Sequence, residues 1–246
     1  MNFILCLAGL GKRFTEKKIF TPKYLLPIEQ GQKKTILEEI IENLPGSDCI
    51  ASYTFVLNYR HEEYINKVKY IAEKLVRSFN IFLVNDTNGQ AETANIALDL
   101  LCRNVKDFDP QKDTIAFLNG DTVTKTDILE INKAFDIGAK GIIDTFFSNS
   151  ENFSYVKTNK NNQVIQIVEK KVISNKATTG LYFFNNAYTY QKYYKYISNH
   201  CQELFISDVY IEMLKNNEKI IALEPSQLRK PIILGTPDEY FAWLRR

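Results

Sequence analysis

The chain has 246 residues, 31 Lys and Arg against 29 Asp and Glu for a net charge of +2, and 45% hydrophobic residues. That length is near the upper end for a single hydrophobic core and no linker-like segment divides it, so one domain over 1–246 is expected. The two charge signs are interspersed and no apolar run nears the roughly 18 to 20 residues that cross a bilayer, which argues against nucleic acid and membrane partners and for a small substrate.

The start "MNFILC" reads as a strand over 2–7, without a basic leader or cleavage site. Cys6, Cys49, Cys102 and Cys201 have no paired spacing, and a soluble protein of the reducing cytoplasm is expected. Apolar or β-rich runs at 2–7, 53–57, 80–84 and 114–119 alternate with helix-period segments at 36–44, 61–79 and 91–103, which is βαβ order. The first helix opens on Thr35 with Glu38 three positions on, a capping box. The second carries the stripe Tyr64, Val68, Ile71 and Leu75 of a helix packed on a sheet. After Asp121 the strand-like runs at 141–147, 153–158, 163–169 and 178–184 follow one another, with "NKNN" as a turn, so this half reads as a mixed sheet. Helices near 187–198 and 205–217, a strand at 231–234 and a short helix after Pro237 complete the α/β pattern. His61 begins a helix and His200 ends one; neither has a metal-ligand neighbour at suitable spacing, and both read as surface residues.

The first strand runs into "LAGLGKRF", Leu7–Phe14, and "TPKYLLPI" follows with Lys23. Gly9 and Gly11 leave no Cβ in the way, so backbone N–H groups there can face an anion. A dinucleotide loop needs G-x-G-x-x-G opening straight into a helix. Here Phe14 holds the third glycine place, and about twenty residues of polar chain precede the first helix. A P-loop needs a second glycine followed by Lys and a hydroxyl residue, which is missing. What remains is a loop with fixed positive charge at Lys12 and Arg13, continued by Lys23.

These segments resemble the sugar-nucleotidyltransferase-like family of GT-A-type fold, over nearly the whole chain. "LAGLGKRF…PKYLLPI" is similar to the family's glycine loop and Pro-Lys, "NGQAETANIAL" to its nucleobase loop, and "NGDT" to its strand-end Gly-Asp. "IVEKK" and "ATTGLYFF" resemble its acceptor strands, and "ILGTPDEY" its closing Gly-Thr-Pro. Lys12 stands where a hydroxyl residue is common, and "EKK" replaces Glu-Lys-Pro. The resemblance implies a Rossmann-like, mixed but mostly parallel sheet with flanking helices. It divides the chain into a nucleotide-binding half at 1–121 and an acceptor-binding half at 122–246.

It also implies a reaction: an acceptor phosphate oxygen attacks the α-phosphorus of a nucleoside triphosphate and pyrophosphate leaves. Positioning and charge stabilisation then do most of the catalytic work. Arg13 suits the β- and γ-phosphates because a guanidinium offers two parallel donors, whereas Lys23 is a compact point charge. By resemblance Lys23 lies near the α-phosphate and the attacking phosphate, while Leu7, Ala8, Gly9, Gly11 and Lys12 form the nucleotide loop. Gly89, Gln90 and Thr93 face the base, with loop and helix-cap chemistry as the alternative. Asp121 emerges at the carboxyl end of a central strand, suited to the nucleotide and to Mg²⁺, or Mn²⁺, held with phosphate oxygens. Asp208 in "FISDVY" is the candidate second metal carboxylate, unless it only starts a helix. Glu169, Lys170 and Gly180 are assigned to the acceptor; a surface ion pair and a β-bulge are the alternatives.

The resemblance lies nearest to cytidylyltransferases of surface-polysaccharide and capsule pathways. It implies CTP as donor and phosphoglutamine as acceptor, with a sugar 1-phosphate next, and leaves a homo-oligomer open. Two other readings compete. A non-catalytic nucleotide-sensing module would be expected to lack Arg13, Lys23 or Asp121, all of which are present. A glycosyltransferase would carry D-x-D where "GDT" offers one carboxylate.

Overall fold

The computed structural model describes residues 1–31, 33–44, 52–199, 203–225 and 230–246. Cys49, His200 and Cys201 lie outside the described residues. In chain order, β1 (Asn2–Leu7) leads through α1 (Lys12–Glu16) and α2 (Ile36–Asn43) to β2 (Ser52–Asn58), and α3 (Ile65–Leu75) leads to β3 (Phe79–Val84). Helix α4 (Gln90–Asn104) then returns the chain to β4 (Ile115–Asn119). β1 pairs in parallel with both β2 and β4, and β2 with β3, the pairing expected of βαβ units.

Burial follows the two-residue period of β1. Phe3, Leu5 and Leu7 face one side and pack with Ile40 of α2 and Val68 and Ile71 of α3. Ile4 faces the other side with Leu98 and Leu101 of α4. The capping box of α2 forms as expected: Glu38 N donates to Thr35 Oγ1 at 3.2 Å and Thr35 N to Glu38 Oε2 at 2.8 Å. Both faces of the sheet are thereby covered, which explains why β1 and β4 are buried along nearly their whole length.

The second half follows as β5 (Thr122–Val123), α5 (Ile128–Asp136), β6 (Gly141–Phe147), β7 (Tyr155–Thr158), β8 (Val164–Val168) and β9 (Lys176–Phe184). Then come α6 (Ala187–Ile197), α7 (Ile206–Lys215), β10 (Ile220–Ala222), β11 (Ile232–Ile233) and α8 (Pro237–Leu244). The sheet order is β10-β6-β9-β4-β1-β2-β3, with β9 antiparallel to β4 and β6, and the hairpin β7–β8 attached at β9. The sheet is thus mixed and mostly parallel, with helices on both faces. The "NKNN" segment is the turn between β7 and β8: Asn159 N donates to Gln163 O at 2.9 Å and Asn162 takes φ 56°. Among the described residues no helix is long and apolar enough to cross a membrane.

Several local features depart from the sequence reading, the unpredicted strands β5 and β10 among them. The stretch after the glycine loop contains α1 and a 3₁₀ turn at Lys23–Leu25 instead of irregular chain throughout. Helix α1 is too short to show a period; the buried Phe14 holds it, its ring 6.2 Å from that of Tyr240. The helix expected over 61–79 divides into a 3₁₀ stretch at Tyr59–Tyr64 and α3, and Val76 turns extended ahead of β3. Helix α5 went unpredicted and is started by Asp127, whose Oδ1 accepts from Leu129 N at 2.8 Å.

Tyr210 of α7 ties the helix layer to the sheet. Its buried hydroxyl donates toward Phe183 O at 2.8 Å and Ile142 O at 3.0 Å, and Gly141 leaves room for its ring. Tyr210→Phe is expected to cost about 1 kcal/mol of stability, read from the urea midpoint. An unchanged midpoint would show that the hydroxyl contributes nothing to the junction.

Candidate active site

The carboxyl ends of β1 and β4 are neighbours, because the two strands are parallel and adjacent. The loops that leave them open a cavity of about 800 Å³. One wall is the glycine loop, from Leu7 through Lys12 and Arg13, where Gly11 takes φ 60°. Lys23 stands on its short 3₁₀ turn, held there by the buried Tyr24 and Leu25. Its Nζ makes an ion pair with Asp121 Oδ2 on the cavity wall, and both side chains are largely buried.

Asp121 follows β4 through Gly120, where any side chain would run into Leu7. Thr122 Oγ1 donates to Asp121 Oδ1 at 3.2 Å, and Leu234 N to the Asp121 carbonyl at 2.8 Å. The short antiparallel pair β5–β11 therefore frames this carboxylate from below. Gly235, Thr236 and Glu239, which follow β11, complete that end of the cavity.

Another end of the cavity is built at the start of α4. Gly89 takes φ 127°, and a Cβ there would meet the Leu204 backbone, so a glycine is required. Thr93 Oγ1 lies 2.8 Å from Thr87 Oγ1 and donates to Gly89 O at 3.2 Å. Thr93 thus bonds back to the preceding turn from inside α4, where Gly89 and not Thr93 is the cap residue, and it still borders the cavity. The side-chain Nε2 of Gln90 is buried with no nitrogen or oxygen partner among the described residues, and its polar neighbour is the Cys6 thiol, a weak acceptor. A buried donor so weakly met on a cavity wall is a natural contact for a ligand acceptor, since leaving it unmet costs free energy. Cys6 borders the same end, and burial pushes its thiol up to about 12, so it stays protonated.

At the opposite end, Glu169 Oε2 accepts from Ser207 Oγ at 3.0 Å and from Ser154 Oγ. The ammonium of Lys170 lies 4.6 Å over the Phe205 ring, and the residue takes φ 52°. Gly180 has φ 87°, and a Cβ there would come within 2.8 Å of Asn119 Nδ2. Burial pushes the nearby Tyr182 phenol up to about 12.

All the residues singled out in the sequence except Asp208 border this one cavity. Asp208 sits in the first turn of α7, and its Oδ2 accepts from Phe205 N at 2.9 Å. That is the helix-start alternative; its neighbour Ser207 is the residue that reaches the cavity. Ser154, Ser207, Asn119, Phe205 and Glu239 were not foreseen. Asn119 lay inside the quoted "NGDT", Phe205 and Ser207 inside "FISDVY" and Glu239 inside "ILGTPDEY", whereas Ser154 lay in none of the quoted motifs.

Comparison with known proteins places this geometry. A sequence profile described as nucleotidyl transferase matches residues 4–243. A search of curated proteins finds no match. The chain is similar to the crystal structure of a nucleoside-diphosphate-sugar pyrophosphorylase from Vibrio cholerae RC9, with a TM-score of 0.83 and 25% identity over 99% of this chain and 100% of that one. It is similar in fold to an apo UDP-glucose pyrophosphorylase, with a TM-score of 0.74 and 14% identity over 99% and 96% of the chains. A third likeness in fold is HddC from Yersinia pseudotuberculosis, with a TM-score of 0.68 and 16% identity over 99% and 98%. With a profile that spans nearly its whole length, the chain belongs to the nucleotidyl transferase family.

Proposed function

We propose that the protein transfers a nucleoside monophosphate unit from a triphosphate, with CTP favoured, to a small phosphorylated acceptor, with phosphoglutamine favoured. The observation that carries the reading is the Lys23–Asp121 pair on the cavity wall, with Arg13 lining the same cavity. In the step itself, an acceptor phosphate oxygen bonds to the α-phosphorus as its bond to the β-bridging oxygen breaks and pyrophosphate leaves. Arg13 holds the leaving β- and γ-phosphates. Lys23 turns from Asp121 toward the α-phosphate and the incoming oxygen, where charge accumulates.

The residues fit a divalent cation such as Mg²⁺, because Mg²⁺ takes one or two carboxylates together with substrate phosphate oxygens and water. Asp121 supplies a carboxylate on the cavity wall. When bound, the ion neutralises charge on the phosphate oxygens. The buried Nε2 of Gln90 and the backbone near Gly89 and Leu7–Gly9 are the groups placed to read a pyrimidine.

For the acceptor, Glu169 and Lys170 set opposite charges side by side at the far end of the cavity. That pattern suits the ammonium and carboxylate of an amino-acid end such as that of phosphoglutamine. A second reading, a sugar 1-phosphate, is favoured by Glu169, whose serine-fixed carboxylate suits sugar hydroxyls, and by the sugar-nucleotide names of the structural relatives. The proposed setting is the cytoplasm, with the product passing to surface polysaccharide or capsule synthesis.

Three outcomes are expected. Lys23→Ala lowers kcat by at least about 100-fold, since losing a charge at the transferring phosphate costs roughly 3 kcal/mol. Circular dichroism should show the fold unchanged, and a near-normal kcat would leave Lys23 only a structural partner of Asp121. Chelation by EDTA abolishes turnover and added Mg²⁺ restores it, and full activity in EDTA would sink the metal role. CTP exceeds UTP, GTP and ATP in kcat/KM with saturating phosphoglutamine by about five- to 150-fold, the range that one mismatched buried polar group supports. A tenfold preference for UTP or GTP would overturn the choice of base and leave the transfer chemistry standing.

A further inference from the structure

We infer that Glu239 supplies the second carboxylate at the metal end of the cavity, the place the sequence had assigned to Asp208; the inference rests on the nucleotidyl-transfer reading above. Gly235 lies between the two acids. A methyl group placed on it would stand 3.2 Å from Asp121 Oδ2 and 3.6 Å from Glu239 Oε2, so both carboxylates border the same small space. Glu239 is held in orientation: its Oε2 accepts from Thr236 N and Thr236 Oγ1, each at 2.9 Å. Both acids line the cavity, whereas Asp208 does not.

The charges around this space ask for a cation. Lys23 is paired with Asp121, and Glu239 has no ion pair among the described residues. One ammonium against two carboxylates leaves this corner of the cavity negative, apart from the Lys12 and Arg13 charges of the glycine loop on the same cavity, and like charges repel strongly in a partly buried site. A divalent ion carried in with the triphosphate reverses that sign, and two carboxylates with phosphate oxygens form a donor set that Mg²⁺ accepts. Glycine at 235 keeps the space open. Lys23 is then released from Asp121 to the phosphates, so that metal binding and lysine placement are one event.

The test uses Mn²⁺ as a paramagnetic probe, its binding to the full chain read by electron paramagnetic resonance with a non-hydrolysable CTP analogue present. Glu239→Gln keeps an acceptor oxygen for the helix cap and removes the charge. It should weaken Mn²⁺ binding at least tenfold, with a melting temperature near wild type, while Asp208→Asn leaves Mn²⁺ binding unchanged. Gly235→Ala fills the shared space without touching the cap and should weaken Mn²⁺ as well, which keeps the test decisive if Glu239→Gln folds poorly. Wild-type Mn²⁺ affinity in Glu239→Gln or Gly235→Ala, with loss in Asp121→Asn, overturns the inference and leaves the nucleotidyl-transfer reading intact. Failure of the wild-type chain to bind Mn²⁺ with non-hydrolysable analogues of all four triphosphates, or full binding by Asp121→Asn, overturns the inference together with the metal assignment of the reading above.

Discussion

An ion pair between Lys23 and Asp121 lies on the cavity wall, and it joins the loops that leave two parallel, adjacent strands, β1 and β4. Parallel strands bring their carboxyl ends to one edge, so the loop after the first strand and the loop after the fourth meet there although 98 positions separate the two residues. The pair also sets the resting charge of the site. In the proposed reaction, Lys23 would leave Asp121 for the phosphates and Asp121 would be left to the metal, so one substrate complex would relieve both.

The other half of the site depends on a reversal of direction. Strand β9 runs antiparallel between β4 and β6. Its residues Thr178, Thr179, Gly180 and Tyr182 therefore line the same cavity as the glycine loop. The hairpin β7–β8 hangs on that strand and delivers Glu169 opposite Ser207 of α7. A carboxylate fixed by two serine hydroxyls has lost most of its freedom before any ligand arrives, which would reduce the ordering cost of binding one. The segment through β11 and α8 then closes the cavity at Asp121, through the bond from Leu234 N and the bare Cα of Gly235.

Much of this was legible in the sequence. The apolar alternation of β1 and the Thr35–Glu38 capping box are local patterns, and local patterns survive into the fold. The shortest elements were not legible. Helix α1 depends on one buried phenylalanine packed against Tyr240, more than two hundred positions away, and no window of sequence contains that contact. Asp208 shows the reverse problem. An acid in the first turn of a helix has the same signature whether it caps the helix or binds a metal, and the packing shows Asp208 Oδ2 accepting from Phe205 N.

By itself the sequence determined the α/β order, the glycine loop with Arg13 and the Pro-Lys of Lys23, and the strand-end Asp121, because spacing along the chain expresses each of these. The tertiary structure decided which groups face one another. Ser154 and Ser207 converge on Glu169, Gln90 keeps a buried donor beside the Cys6 thiol at the opposite end, and Glu239 stands beside Asp121 across a glycine. The physical reason is that hydrogen bonds and ion pairs act over a few ångströms of space, and only the packing of the sheet and its helices turns distant positions into neighbours at that range.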